Sequence, residues 1–399
     1  MTLIKSLKLS GILSFPLDSE PIALAPLNVL IGPNGSGKSN LIEAIELLHA
    51  TPTALAAAIR DGGGVQEWMW KGSQTGEPAT IEAVIAGGAT VNGGPPIRDL
   101  RYRLAFAPVG QRTEAVDEVI EESQKRSDTE QDVNFFYRFQ SGRPVLNVHE
   151  TTGVYRQRTL RREDLVLDES VLSQRKGSDV YPELTWLGQQ FSRIQTFREW
   201  SFGRYVALQQ PQPADLPTDV LLPDARNLGL LLNDLEHSQT YREFNRLLTR
   251  FLPRYQRFST RVHGGTVQFY LHESGLESPI PATRLSDGTI RFIAILALLL
   301  SPAPAPLICL EEPELGLHPD AIALLSDLLI DAAARMQLIV TTHSDVLVSG
   351  LSEQPESVMV CEHQGGTLIE RLDSAKVSHW LDQYRLGDVW RIGELGGNP

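Results

Sequence analysis

The chain has 399 residues, 42% of them apolar and 21% charged, as in a soluble globular protein with room for two or three domain-sized units. Lys and Arg number 36 against 49 Asp and Glu, a formal net charge of −13, so any nucleic-acid contact must come from a local basic patch. The two cysteines, Cys309 and Cys361, cannot build a disulfide framework or a four-ligand zinc site, and they point to a reducing compartment.

In chain order, residues 3–9, 12–15 and 27–31 read as strands. The run LNVLI (27–31) is continuous and apolar, as expected of a strand covered on both faces. A glycine-rich turn at 32–37 leads into a helix from Ser39 to about Leu55, with Leu41, Ile42, Ile45 and Leu48 on one face. Further strands are expected at 81–86 and 102–107. The acidic stretch 114–132 reads as an exposed helix or a mobile insertion. FFYRFQ and PVLNVHE read as strands, followed by a basic cluster, RQRTLRR (156–162).

Helices are expected at 184–200 and 227–252, separated by a proline-rich loop at 211–224, and a hairpin strand at 262–272. An apolar helix (289–300), a buried strand (307–310), a helix (320–335) and a second buried strand (337–341) then alternate, which argues for a parallel sheet. No internal repeat and no long heptad run is present, so any coiled-coil arm is very short or absent. The longest apolar run, 292–300, is well short of the roughly 18 residues a membrane span needs. The N-terminus carries lysines inside an alternating pattern, unlike a signal peptide, and a cytoplasmic protein without membrane contact is expected.

Four segments carry chemistry. GPNGSGKS (32–39) matches G-x-x-x-x-G-K-S between a strand and a helix. Its glycines let backbone N–H groups wrap phosphates, Lys38 would reach the β- and γ-phosphates, and Ser39 would ligate Mg²⁺. LICLEEPELGLHP (307–319) places Glu311 and Glu312 at the C-terminal end of a buried strand, where open α/β sheets carry their chemistry. Glu311 suits a metal shell, and Glu312 suits the general base for an attacking water. LIVTTHS (338–344) ends a strand at His343, positioned to donate to a γ-phosphate. RLSDGTIRF (284–292) opens an apolar helix at Ser286-Asp287-Gly288, an anion site that makes sense against the nucleotide of another subunit.

In this order the four segments resemble the ABC-type ATPase heads of the SMC/RecF superfamily, with GPNGSGKS similar to Walker A, LSDGT to the LSGGQ signature, LICLEEPE to Walker B plus catalytic glutamate, ELGLHP to the D-loop and TTHS to the switch histidine. The tail YRLGDVWRIGELGGNP resembles that of small RecF-like AAA-domain ATPases that lack the long coiled coil. The likeness covers roughly 1–60 and 280–399.

The resemblance implies an α/β P-loop NTPase head, with an N-terminal mixed sheet and a parallel core. A mixed α+β insertion would lie between Walker A and the signature. The head would span 1–90 and 271–399, and 91–270 would form an inserted lobe. It implies ATP and Mg²⁺, bound by Gly32, Pro33, Asn34, Gly35, Ser36, Gly37, Lys38, Ser39 and Asn40, with Ser286 and Gly288 from a partner. Ser39 and Glu311 would hold the metal, and Glu312 and His343 would be catalytic. It further implies a head-to-tail homodimer closed by ATP and opened by hydrolysis, acting in DNA repair or anti-phage defence.

The sequence departs from the pattern at Glu311, where aspartate is usual, and at Asp287 and Thr289, where glycine and glutamine are usual. Gln66 and Gln74 are the Q-loop candidates, and Arg60 matches a DNA-facing arginine of SMC heads by spacing alone. Arg242, Arg246 and Arg250 recur every four residues opposite Phe244, Leu247, Leu248 and Phe251. That stripe, like Arg156, Arg158, Arg161 and Arg162, reads either as a phosphate track or as an ordinary solvated face. The rival function is an ATP-gated scaffold that controls a separate effector, such as a nuclease, without touching DNA. A transporter motor is disfavoured by the absence of a membrane segment. No nuclease domain is expected in the 56 residues after His343.

Overall fold

A computed structural model describes the chain except residues 1, 73–75, 92, 94–95, 111, 128–131, 141–142, 150–154, 199, 201–205, 207–208 and 398–399. The run LNVLI forms the strand Leu27–Ile31, buried throughout. It lies inside a six-stranded sheet in the order Gln195–Phe197, Leu307–Glu311, Gln337–Thr341, Leu27–Ile31, Val358–His363, Thr367–Arg371. The first five strands are parallel, and the last turns back as an antiparallel hairpin.

The inner strands are largely apolar because successive side chains enter two different cores, with Asn28, Gln337 and Thr341 buried among them. Val29, Ile31, Ile308, Leu310, Leu338 and Val340 face one core. Leu30, Leu307, Cys309, Ile339 and Cys361 face the other. Each fully buried side chain of this size contributes about 1.5–3 kcal/mol. The first core is closed by the helices Leu228–Leu235, Tyr241–Phe251, Asp287–Leu299 and Pro319–Ala333. Asp287–Leu299 is buried from Ile290 onward, which is why its sequence is apolar all round; Arg291 is the one charge in that stretch.

The second core is closed by the helix Lys38–Ala50 and by an eight-stranded antiparallel sheet. That sheet runs Ile22–Ala23, Ile4–Ser10, Ala79–Ile85, Leu100–Val109, Arg112–Glu122, Phe135–Gln140, Arg143–His149, Tyr155–Thr159. Buried Gln337 stitches the two sheets together: its Oε1 accepts from Leu3 N (3.0 Å) and Ile4 N (2.9 Å), and its Nε2 donates to Ile4 O (2.8 Å). A third, four-stranded sheet is built on the hairpin Tyr255–His263/Thr266–Glu273.

Several expectations are corrected. The acidic stretch after 114 is not a helix: Arg112–Glu122 is an interior strand of the eight-stranded sheet. Its carboxylates meet arginines of neighbouring strands, Asp117 with Arg103 (2.5 Å) and Glu121 with Arg101 (2.6 Å) and Arg138 (2.8 Å). The helix expected over 184–200 stops at Ser192, and Gln195–Phe197 pairs into the parallel sheet. The helix expected over 227–252 is two helices, and residues 12–15 form only an isolated bridge. The helix after the glycine-rich turn ends at Ala50, before a second one at Leu55–Asp61. Strands within 91–270 enter all three sheets. No helix among the described residues is long and apolar enough to cross a membrane.

Candidate active site

The glycine-rich loop leaves the C-terminal end of the central strand Leu27–Ile31 and enters Lys38–Ala50, and its glycines are required by both conformation and contact. Gly32, Gly35 and Gly37 have φ of 145°, 78° and 98°, a region side chains disfavour. A Cβ on Gly32 would lie 2.2 Å from Cys361 O, and one on Gly37 would lie 1.9 Å from Thr367 Oγ1. The loop is therefore seated on the hairpin Val358–His363/Thr367–Arg371. Around Gly35 the space is open, and Pro33, Asn34 and Gly35 are exposed, so one side of the loop is free to meet a ligand. Ser36 is buried, and its hydroxyl makes no hydrogen bond in the structure.

Lys38 folds back to donate to Gly32 O (2.7 Å) and Pro33 O (3.0 Å). Burial lowers its pKa, while Cys361, Glu312 and Glu311 oppose that shift. Asn40 does not face the loop's open side: its amide donates to Ser14 Oγ (2.7 Å), which also accepts from Thr367 Oγ1 (2.7 Å).

The second half of the site arrives from 272 residues further along, where Ser39 Oγ donates to Glu311 Oε1. This follows from sheet order: the strands ending in Glu311 and Thr341 run parallel beside Leu27–Ile31, so their C-terminal ends open beside the loop. The donor set is one hydroxyl and one carboxylate, not a closed cage of His, Cys, Asp and Glu, of which none is found among the described residues. Hard oxygen donors at an open loop fit Mg²⁺, which is commonly held by one or two protein oxygens together with substrate phosphates.

Glu312 has φ 45°, a left-handed conformation that costs a non-glycine residue of order 1–3 kcal/mol. The neighbouring strand holds it there: its N–H donates to Thr341 O (3.0 Å) and Thr341 Oγ1 (3.2 Å). Its carboxylate lies 3.7 Å from His343 Nε2, and both side chains are about one-third exposed, at 32% and 30%. Burial and the charge of Lys38 hold the His343 imidazole below its usual 6.5, against the pull of Glu312. Beneath them, buried Glu314 accepts from Thr342 Oγ1 (2.5 Å) and His343 N (2.9 Å), which fixes the backbone that carries the histidine.

Ser286 caps Asp287–Leu299, accepting from Thr289 N (3.2 Å) and contacting Thr289 Oγ1 (2.8 Å). It is exposed. A Cβ on Gly288 would lie 2.5 Å from Gly316 O, so the helix start is packed on the turn that follows Glu312. Among the described residues no hydrogen bond or ion pair joins Ser286–Thr289 to the loop 32–39. Within one chain the structure brings together Lys38, Ser39, Glu311, Glu312 and His343, and leaves Ser286 exposed and Gly288 half-buried against the turn that follows Glu312.

Three residues escaped the sequence reading. Arg198 joins Glu311 through Nε–Oε2 (3.1 Å) and Glu46 through its guanidinium (3.1 Å). Arg291, 8% exposed, donates to Leu315 O (2.7 Å). Gln209 donates to Asp287 Oδ1 (3.0 Å). The strand pairing 195–197 with 307–311 was the signal that would have revealed Arg198. Gln66 is exposed and Gln74 lies outside the described residues, while Arg60 is exposed on Leu55–Asp61.

The arginine stripe lies exposed on Tyr241–Phe251, with Phe244, Leu247 and Leu248 buried opposite. Arg246 is paired with Glu243 (2.5 Å), and Arg250 lies 3.7 Å from Asp327. Arg156 and Arg158 sit on the edge strand Tyr155–Thr159, with Arg161 beyond it, all exposed; the side chain of Arg162 lies outside the described residues.

The fold is that of known SMC heads. The head bound to the C-terminal winged-helix domain of ScpA matches with a TM-score of 0.57 at 14% identity, over 94% of this chain and 99% of that one. A head with extended coiled coil, bound to the C-terminal domain of ScpA and derived from Pyrococcus furiosus, matches with 0.56 at 13%, over 96% and 99%. A Pyrococcus yayanosii head with coiled coil and joint matches with 0.52 at 12%, again over 96% and 99%. No curated protein matches the chain in sequence. A family profile described as "AAA domain, putative AbiEii toxin, Type IV TA system" matches residues 27–349, from the central strand past His343. The chain therefore belongs to the AAA_21 family of AAA domains, and its fold is that of SMC heads.

Proposed function

We propose that the protein is an ATP-hydrolysing switch that closes as a head-to-tail homodimer around two ATP molecules. The observation that carries this reading is the convergence of Lys38 and Ser39 with Glu311, Glu312 and His343, while exposed Ser286 makes no hydrogen bond to the loop 32–39 among the described residues. A half-site that lacks its signature element within the chain is completed by a second copy. The helix N-terminus at Ser286 then meets the γ-phosphate bound by the partner.

The loop amides and Lys38 bind the phosphates. Mg²⁺, when held by Ser39 and Glu311, neutralises phosphate charge. Glu312 accepts a proton from the attacking water as its oxygen bonds to the γ-phosphorus and the bond to the β-phosphate oxygen breaks, giving ADP and phosphate. His343 donates to a γ-phosphate oxygen. The strained backbone of Glu312 fixes its carboxylate before substrate arrives. Steady-state ATP hydrolysis tests this: Lys38→Ala abolishes nucleotide binding, and Glu312→Gln keeps binding but loses turnover. Wild-type rates in Glu312→Gln refute the base assignment.

A setting in DNA repair or anti-phage defence rests on the resemblance, with Arg242, Arg246 and Arg250 as the DNA contact. One observation favours the rival reading, an ATP-gated scaffold for a separate effector: Arg246 and Arg250 already have acidic neighbours. That heads of this fold are known with a ScpA domain bound supports a protein partner in the same sense. DNA binding measured with and without ATP over a salt series separates the two. A steep, ATP-dependent salt slope supports DNA contact, and no binding at low salt supports the scaffold.

A further inference from the structure

Arg198 stands one step beyond the edge strand Gln195–Phe197. That strand runs parallel to Leu307–Glu311, with Phe197 opposite Leu310, so the register sets Arg198 beside Glu311. Its Nε lies 3.1 Å from Glu311 Oε2, one terminal nitrogen 3.1 Å from Glu46 Oε2, and the other 3.9 Å from Glu43 Oε2. Thr196 Oγ1 donates to the other oxygen of Glu46 (2.7 Å). Glu43 and Glu46 follow Ser39 by four and seven residues, on the same face of Lys38–Ala50. One half-buried guanidinium thus gathers three carboxylates from the strand and the helix that carry the two halves of the metal shell. The two oxygens of Glu311 are divided between Ser39 and Arg198.

This division bears on the departure at Glu311. A glutamate has one more rotatable bond than the usual aspartate, and left alone it samples more positions. We propose that Arg198 is the positioning residue that lets glutamate serve here. By fixing Oε2 it turns Oε1 to Ser39, and by holding Glu46 it locks the strand end against the loop helix. The proposal rests on the reading of Ser39 and Glu311 as the Mg²⁺ shell.

The test measures affinity for a fluorescent, non-hydrolysable ATP analogue, first in EDTA and then over a Mg²⁺ titration, with no turnover required. Arg198→Lys keeps the charge but loses the planar fork. It is expected to leave metal-free affinity within about two-fold of wild type, and to raise the Mg²⁺ midpoint by roughly ten-fold or more, the usual effect of losing a group that orients a ligand. Arg198→Ala is expected to raise it at least as much. Glu311→Asp should raise the midpoint in the wild-type background but add little to Arg198→Lys, because both break the same contact.

An unchanged midpoint in Arg198→Lys overturns the proposal. So does an equal loss of metal-free affinity, which marks a role in folding alone, and so does a lower midpoint in Arg198→Ala, which marks a competing cation. A wild-type protein whose affinity ignores Mg²⁺ overturns the metal shell itself, and the role of Arg198 with it.

Discussion

Arg291→Met separates the stability of the head from the geometry of its reaction. Arg291 is 8% exposed, and its guanidinium donates through one nitrogen to Leu315 O at 2.7 Å, with Glu312 O at 3.4 Å. It thereby ties the apolar helix behind Ser286 to the turn that carries Glu312. A hydrogen bond from a charged donor contributes about 1.5–3 kcal/mol. Burial lowers the pKa of this arginine, Glu314, Glu312 and Asp287 notwithstanding, so the charge itself is costly where it sits. Methionine keeps the packed stem and removes that cost, and unfolding free energy should change by no more than about 2 kcal/mol.

The turn 312–316 meanwhile loses its donor. If the contact exists only in the competent arrangement, its loss lowers the competent fraction by up to roughly 10- to 100-fold. The expected result is a fall of about ten-fold or more in kcat, with affinity for a non-hydrolysable ATP analogue within about two-fold. Urea unfolding, steady-state kinetics and hydrogen exchange over 312–316 read the three quantities. A kcat within two-fold of wild type, with exchange at 312–316 unchanged, refutes the reasoning.

Gly37→Ala places a methyl 1.9 Å from Thr367 Oγ1 at φ 98°, and should lower ATP affinity by about ten-fold or more while unfolding stays cooperative; calorimetric titration checks it. Burial raises the Glu118 carboxyl to about 7 although Ser170 Oγ, Val171 N and Tyr102 Oη all donate to it. Its folded pKa lies above the unfolded value of 4.5, so its contribution is fully present below pH 4.5 and is lost as pH rises through 7. The difference is worth roughly 3 kcal/mol, and Glu118→Gln should flatten the fall in unfolding free energy between pH 5 and 8 by that order; an identical fall in both proteins contradicts it.

The strands that carry the candidate site were legible because each holds a short apolar run, a pattern with few alternatives. Residues 307–310 and 338–340 are unbroken apolar runs and Leu27–Ile31 is interrupted by buried Asn28, and the candidate residues begin where these runs stop. The middle of the chain resisted for the opposite reason. Arg112–Glu122 looks like a solvated segment until Arg101, Arg103 and Arg138 are known to stand beside it. Its polarity is balanced by partners on other strands, and no local pattern reports that. Gln195–Phe197 is only three residues long and follows a helix by two residues, so its pairing with Leu307–Glu311, and with it Arg198, could not be read from periodicity.

The proposed homodimer holds each ATP between two copies of the chain. Light scattering on Glu312→Gln with Mg²⁺ and ATP tests it most directly. A dimer should form with ATP, revert to monomer with ADP, and fail to form when Ser286→Arg is added, although the monomer still binds ATP. A Glu312→Gln protein that is saturated with ATP yet stays monomeric at every concentration contradicts the account.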